Sequence, residues 1–553
     1  MGRAGGLRGA AVALVMVAAV VLVVVPLLVM GRTVWVEGGG RLGDVLGAPG
    51  LGTALANTFG LALAVTVLAV PAGTALALAL RRSDLPGRSF WRVAVLLPVL
   101  VPDFVLGYSW LRAYGRAGFT DDLFGVHWQG VQGPVGVTVV VVVSAVPLAY
   151  LVAAVGLAAR AEPGVERAAR ASGATAPTVL RTITLPLLRP AIATAAVLVF
   201  VLTLGTFAIP QVMGSPAGFS TVTTRIYADL ARSSDPLAFV EAVALALVLV
   251  LVAALVVAPS DALLGPRLRV TRVATTDPTS FRRQSTSGRW TATGIGIYLL
   301  LAVALPLLAL LATAATRAAG LPPTPGNWGT TNFTAVLTAR NGEALGRSLV
   351  LSAVAATVLV LLGGSVAALE RSRSGRSVAT LVTLTLVLPG STLAVGLLIT
   401  YGRWLGGSLA LILLAYVAKL WAFAHRPISG ALDRLPPDEL RASRACGAGP
   451  FTALRTVVLR PMLPALLAAW TVCFLTALHE VTMSSLLYGP GSETLAVVVL
   501  NSQELGQVGA TSALSVVLTV LLGVPALGAW LVVRSLEHGR ASRSTVREPA
   551  RAG

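Results

Sequence analysis

Apolar residues in this chain come in long unbroken runs rather than in alternation with polar ones. Ala10–Met30, Val137–Ala159, Ala242–Ala258 and Tyr298–Ala315 carry no charged residue. Each can cross a hydrocarbon core about 30 Å thick as a helix. Runs of this kind predict about twelve spans, near 10–30, 53–80, 92–113, 134–159, 187–209, 238–258, 291–313, 344–368, 378–401, 406–425, 463–486 and 510–533. The expected fold class is therefore an all-α membrane protein. A polar, basic stretch at 261–290, rich in Pro, Ser and Thr, reads as a linker between a first half, 1–260, and a second half, 291–553.

The halves are copies of one another. Gly173 and Gly447 lie 274 positions apart, and at that offset Ala168 meets Ala442, Leu180 meets Leu454, Arg181-Thr182 meets Arg455-Thr456, Leu185 meets Leu459 and Pro190 meets Pro464. Upstream, TALANTFGLAL (Thr53–Leu63) matches EALGRSLVLSA (Glu343–Ala353), and AVLLPVLVPDFVLG (Ala94–Gly107) matches LTLVLPGSTLAVG (Leu384–Gly396). Six spans per half in the same orientation make a parallel repeat, with a pseudo-two-fold axis along the membrane normal and a pathway between the halves.

Composition agrees with this picture. Hydrophobic residues make up 56% of the chain and charged ones only 12%, with a net charge of +19. In a soluble protein that charge would suggest nucleic acid. Here the arginines sit between apolar runs and mark loops on one side of the membrane. Arg3 and Arg8 precede the first run, Arg81, Arg82, Arg88 and Arg92 follow the second, and Arg267–Arg289 and Arg534–Arg551 are basic too. Every second loop is basic, which places both termini in the cytoplasm, and no nucleic-acid partner is expected. The first run lacks a small-residue cleavage site and reads as a retained helix rather than a signal peptide. Cys446 and Cys473 form no ligand pattern and are expected to be free thiols.

Two charged interruptions stand apart: VERAARASGATAPTVLRTITLPLLRP within 163–190, and DELRASRACGAGPFTALRTVVLRPMLP within 436–464. Pro163 suits a helix start, Glu166 suits the first turn, and Gly173 ends the helix before Pro177. Ala169 and Gly173 share a face, where small residues let another backbone approach. Each interruption thus predicts a short cytoplasmic helix with a docking face.

At these residues the chain resembles the EAA loop of permeases in binding-protein-dependent ABC importers. That pattern is Glu-Ala-Ala, three residues, Gly, nine residues, then Ile-x-Leu-Pro. Ala168, Ala169, Gly173, Ile183, Leu185 and Pro186 fall in register in the first copy, with Arg167 at the glutamate position and Glu166 beside it. In the second copy Ala442, Gly447, Val457 and Leu459 fall in register. There Arg441 takes the glutamate position with Glu439 nearby, Ser443 replaces an alanine and Arg460 replaces the proline. The resemblance implies that the two loops dock two copies of a separate ABC ATP-binding subunit. It further implies that an extracellular solute-binding protein delivers substrate, and that ATP-driven closure turns the pathway between inward- and outward-facing states. Membrane lipid is the remaining partner. The chain itself carries no G-x-x-x-x-G-K-[ST] phosphate loop, and its sole lysine, Lys419, lies in AYVAKLWAF. Its four histidines, His127, His425, His479 and His538, have no metalloenzyme spacing. Neither enzymatic activity, nor a cofactor, nor a resident metal is expected.

GTFAIPQVMGSPAGFSTVTTRIY (Gly205–Tyr227), HEVTMSSLLYGPGSETLAVVV (His479–Val499) and VPDFVLGYSW (Val101–Trp110) resemble iron(III)-type permeases, whose relatives carry thiamine, polyamines or phosphonates. Iron(III) is the substrate that this resemblance implies. Asp103, His479 and Glu480 fall within or at the ends of spans, where polar groups face a cavity or a partner rather than lipid. They either line a pathway or serve as caps and buried ion pairs. Tyr108, Trp110 and Trp470 are expected at the membrane interface. An ion-coupled secondary transporter would need intramembrane acids and no ATPase partner; the paired loops speak against it.

Overall fold

The computed structural model describes residues 13–38, 43, 47–82, 85, 87–160, 163–268, 287–318, 320–370 and 373–545. The core of the expected linker, 269–286, lies outside them, as do Arg3 and Arg8. Among the described residues the architecture is helical throughout, with isolated bridges and no strand. Among the described residues ten helices are long and apolar enough to span a membrane: Ala13–Glu37, Leu51–Arg81, Pro134–Ala159, Ala176–Leu204, Leu237–Val257, Gly288–Ala315, Ala339–Leu369, Leu409–Leu432, Phe451–Leu478 and Val508–Gly528. We number them spans 1, 2, 4, 5, 6, 7, 8, 10, 11 and 12, because spans 3 and 9 are present but broken. Their outward faces carry apolar side chains such as Leu63, Val67, Leu251 and Leu361, as a lipid solvent demands.

Span 3 consists of Arg88–Ala94, Leu97–Leu100 and Asp103–Tyr114. Span 9 consists of Arg373–Leu384 and Gly390–Leu405. In both, a proline in extended conformation (Pro102, ψ 138°; Pro389, ψ 143°) sits immediately before the final helix. Proline disfavours helical conformation in the residue before it and cannot donate to the ladder, so each helix stops and restarts. The continuous spans expected at 92–113 and 378–401 are corrected accordingly.

Two compact units form. One contains Met1–Val36, Leu337–Asn501 and Val517–Gly553; the other contains Glu37–Val336 and Ser502–Val516. These units are a different division of the chain from its repeat. The first span of each half is exchanged: span 1 belongs with the second half, and span 7 with the first. Each exchanged span is held by a matching device. Span 7 contains a π-helical turn at Leu300–Ala304, and span 1 contains one at Val20–Val24. Such a turn shifts carbonyls out of the regular ladder. In one unit Tyr114 donates its hydroxyl to the Leu301 carbonyl at 2.6 Å, and Trp110 donates its indole N–H to the Ala302 carbonyl at 3.0 Å. In the other unit Tyr401 donates to the Val21 carbonyl at 2.7 Å. Trp110 and Tyr108 are accordingly buried, at 8% and 6% exposure, rather than interfacial as expected. Trp470, half-buried, donates to the Thr357 hydroxyl at 3.1 Å.

The helix crossings of both units rest on glycine. A Cβ on Gly73 of span 2 would lie 2.6 Å from the Ala149 Cβ and the Tyr150 amide of span 4. A Cβ on Gly363 of span 8 would lie 2.8 Å from the His425 amide and 2.9 Å from the Ala424 Cβ of span 10. Small residues at such points are how membrane helices achieve close packing. Gly73→Ala should therefore force spans 2 and 4 apart at a cost of about 1–3 kcal/mol, as overpacking does. Gly60→Ala, on the same span with nothing within 4 Å of the added carbon, should leave stability unchanged or raised. Thermal unfolding of the two variants in detergent checks the contrast.

Candidate functional site

The two charged interruptions fold alike. In the first copy a helix runs over Pro163–Ala171, a short helix over Ala176–Val179, a π turn over Leu180–Thr184, and span 5 continues from Leu185. In the second copy the corresponding segments are Pro437–Ala445, Pro450–Ala453, Leu454–Leu459 and onward from Arg460. Both loop helices end in the same hydrogen-bonded motif. The Ala174 amide reaches back to the Ala169 carbonyl and the Gly173 amide to that of Arg170, both at 3.0 Å. Ala448 reaches Ser443 at 3.1 Å and Gly447 reaches Arg444 at 3.0 Å. This motif requires a left-handed residue one place past the helix. Gly173 and Gly447 supply it with φ of +87° and +85°. The glycines are therefore demanded by the turn, and no neighbour crowds them: nothing lies within 4 Å of a Cβ built on either.

Around each glycine the surface is open. Ala168, Gly173, Ala442, Gly447 and Glu439 are exposed, and Ala169 is half-buried. Ile183, Leu185, Pro186 and Val457 are half-buried at the start of the following span, while Leu459 is 44% exposed. An apolar residue not singled out in the sequence joins this surface: Phe451, beside the second loop helix, is 74% exposed. An aromatic between Pro450 and a threonine in a polar loop was the available signal.

Glu166 faces the other way. It is buried, and the Thr184 hydroxyl donates to its Oε1 at 2.7 Å. This acid ties the first loop helix to the root of span 5. At the same offset of 274 the second copy has Leu440 and Val458, both half-buried. A buried polar pair in one copy is thus an apolar pair in the other. Removing one partner of a buried hydrogen bond to a charged group costs about 1.5–3 kcal/mol. Thr184→Val should loosen the first loop helix by an amount of this order, and hydrogen exchange across 163–171 should accelerate. Val458→Thr in the second copy should leave exchange across 437–445 nearly unchanged.

The polar residues of the spans gather at the two breaks. Asp103 opens the last helix of span 3 and accepts a hydrogen bond of 2.7 Å from the Ser144 hydroxyl of span 4. At the break of span 9 the corresponding position of span 10 is Lys419. The alignment that pairs Gly73 with Gly363, and their neighbours Ala149 and Tyr150 with Ala424 and His425, carries Ser144 onto Lys419. Its ammonium donates to the carbonyls of Leu386 at 3.0 Å, Thr385 at 3.5 Å and Leu388. A cation there fits both the unpaired carbonyls and the negative end of the helix dipole. His479 closes span 11, and Glu480 follows it. The Glu480 carboxylate accepts from the Met483 amide at 2.9 and 3.0 Å and from the Ser484 amide at 3.2 Å, capping the helix Thr482–Leu487. Ser484 in turn shares a 2.7 Å hydrogen bond with the buried Tyr416 hydroxyl. Both acids are occupied by local donors.

Comparison with protein families matches the binding-protein-dependent transport system inner membrane component twice, over residues 69–270 and 359–538, so that each match contains one loop helix. The chain is 25% identical over 496 residues to an Fe(3+)-transport system permease protein of Haemophilus influenzae, covering 87% of this chain and 90% of the relative. It is 38% identical over 248 residues to a molybdenum transport system permease protein of Mycobacterium tuberculosis, covering 44% of this chain and 89% of the relative. It is 28% identical over 210 residues to a putrescine transport system permease protein of Escherichia coli, covering 36% of this chain and 74% of the relative.

Proposed function

The chain belongs to the binding-protein-dependent transport system inner membrane components, and from that membership we propose that it supplies both halves of the pathway of an ABC importer for iron(III). The observation that carries iron is the match with the Fe(3+)-transport permease, which runs through both halves. The molybdenum permease is more similar, but over less than half of this chain. It supports a second reading, import of an oxyanion.

In this proposal the exposed surfaces around Gly173 and Gly447 each receive one copy of a separate ATP-binding subunit. Leu459 and Phe451 add apolar area on the second copy. ATP hydrolysis resides on those subunits, since the chain has no phosphate loop. An external solute-binding protein presents the substrate on the opposite side of the membrane, and both termini are cytoplasmic. Asp103, His479 and Glu480 serve the pathway by holding the broken spans in shape.

Gly173→Asp puts a carboxylate on the docking surface at the negative end of a helix. Aspartate tolerates left-handed conformation, so the fold should persist. ATP-driven uptake should fall by about tenfold or more, corresponding to roughly 1.4 kcal/mol of lost docking. Gly173→Asn, which keeps the turn without the charge, should retain coupling. Gly447→Asp should act in the same direction but less strongly, because the second copy has extra apolar contacts and a more divergent pattern. The decisive measurement is uptake of radioactive iron by vesicles containing this chain, its ATP-binding subunit and its binding protein. ATP-dependent uptake that requires the binding protein supports the proposal. Molybdate uptake without iron uptake would transfer it to the second reading, and uptake driven by an ion gradient alone would refute both.

A further inference from the structure

A cavity of about 500 Å³ opens at the end of span 3, lined among others by Tyr108, Arg112, Arg116, Gln132, Gln503 and Thr511. No carboxylate contributes to its lining, although His127, Gln129 and Trp128 also do. The nearby acids are engaged or directed elsewhere. Asp121 accepts from the Ala117 amide at 2.9 Å and lies 3.0 Å from His127. Asp122 is absent from this lining but borders, with Arg112, a smaller neighbouring cavity of about 160 Å³. Glu504, next to Gln503, is taken by Arg232 at 2.6 Å and by Gln211 at 3.0 Å. Arg112 anchors the turn below by donating to the Ala117 carbonyl at 2.7 Å, while its Nε is buried with no hydrogen-bond partner among the described residues. The cavity wall thus combines two guanidinium groups with amide and hydroxyl donors.

The repeat supplies an internal control. The alignment of Pro102 with Pro389 and of Tyr114 with Tyr401 places Ile399 opposite Arg112 and Val395 opposite Tyr108. The fold therefore does not require a cation or a phenol at these positions; one half has them and the other does not. Position along the membrane is fixed as well. Gln132 sits two residues before span 4 begins at Pro134, and the first loop helix begins at Pro163, just after span 4 ends. A helix of that length measures roughly 40 Å at 1.5 Å per residue. The cavity and the loop helix thus lie at opposite ends of one span.

We infer that this cavity is a binding site for an oxygen-rich anion, which receives the substrate on the external side, opposite the ATP-binding subunits. The inference rests on the importer reading for its sidedness but not for its chemistry. Planar guanidinium groups match oxyanion and carboxylate oxygens in pairs, and a wall free of carboxylates repels a bare cation. Iron(III) at neutral pH is hydrolysed unless oxygen ligands hold it, and a complex with such ligands presents carboxylate or phosphate oxygens at its surface. The same wall would accept a free oxyanion.

Equilibrium binding to the full chain in lipid nanodiscs tests this, with radioactive phosphate, molybdate, ferric citrate and putrescine as separate probes. At least one anionic probe should bind, and putrescine should not. Arg112→Gln with Arg116→Gln should weaken anion binding tenfold or more, and raising the salt concentration should weaken it in the wild type. Because Arg112 also holds a turn, Arg116→Gln alone and Gln132→Glu provide variants that leave that contact intact; each should weaken binding severalfold. Binding of phosphate or molybdate alone identifies a free oxyanion, whereas binding of ferric citrate alone identifies the shell of a metal complex. Absence of binding by every anion, or binding unchanged in all three variants, overturns the inference. Gly173→Asp should leave anion binding intact while lowering ATP-driven uptake about tenfold or more, so a failure of the site and a failure of the importer reading give different results.

Discussion

An amide or carbonyl left unpaired in hydrocarbon costs several kilocalories, and this constraint explains most of what is unusual in the structure. The chain interrupts its helices repeatedly, and several of these interruptions are answered by a side chain. Lys419 fills the carbonyls left open where span 9 stops. Glu480 fills the amides of the short helix after span 11. Tyr114, Trp110 and Tyr401 take up carbonyls displaced by π turns in the exchanged spans. The polar residues of a largely apolar chain are therefore concentrated where backbone needs them. The single lysine and Glu480 are the clearest instance. The sequence left Glu480 open between a pathway group and a cap, and in the fold it caps a helix.

The duplication shows which features the architecture requires and which each half has been free to change. Left-handed glycines, the short helix after them and the π turn are kept in both loops, because they direct the chain from a surface helix into a span. The contact that seats the loop helix is not kept. One copy uses Glu166 and Thr184, where the equivalent positions of the other hold the apolar Leu440 and Val458. The polar pair fixes the first loop helix with directional geometry, which the second copy lacks at these positions.

Much of this was legible in the sequence, and what was not has definite causes. Spans and repeat are properties of apolar runs and of a constant offset, so they survive without coordinates. Gly173 as a helix end was legible because its chemistry is local. The breaks in spans 3 and 9 were hidden because hydropathy averages across a few residues of extended chain, although Pro102 and Pro389 marked the places. Burial of Trp110 was hidden because its partner lies 192 residues away in span 7. Phe451 was passed over because the motif around it drew attention to glycine and alanine. The grouping of Arg112 and Arg116 with Gln503 depends on a contact that no local pattern encodes.

The exchange of first spans has a consequence for how the molecule is made. Span 1 is synthesised well before its partners, since the residues it packs against begin near Leu337, some three hundred residues later. At about 5–20 residues per second that interval is of the order of 15–60 s. During it the Val21 carbonyl has no Tyr401, and the neighbourhood of Gly396, which will lie against Pro26 and Met30, does not yet exist. Span 1 must therefore wait for its tyrosine before this hydrogen bond can form. The unit that contains span 1 is completed only after the second half is made, and cutting the chain between its halves would separate span 1 from the unit it completes.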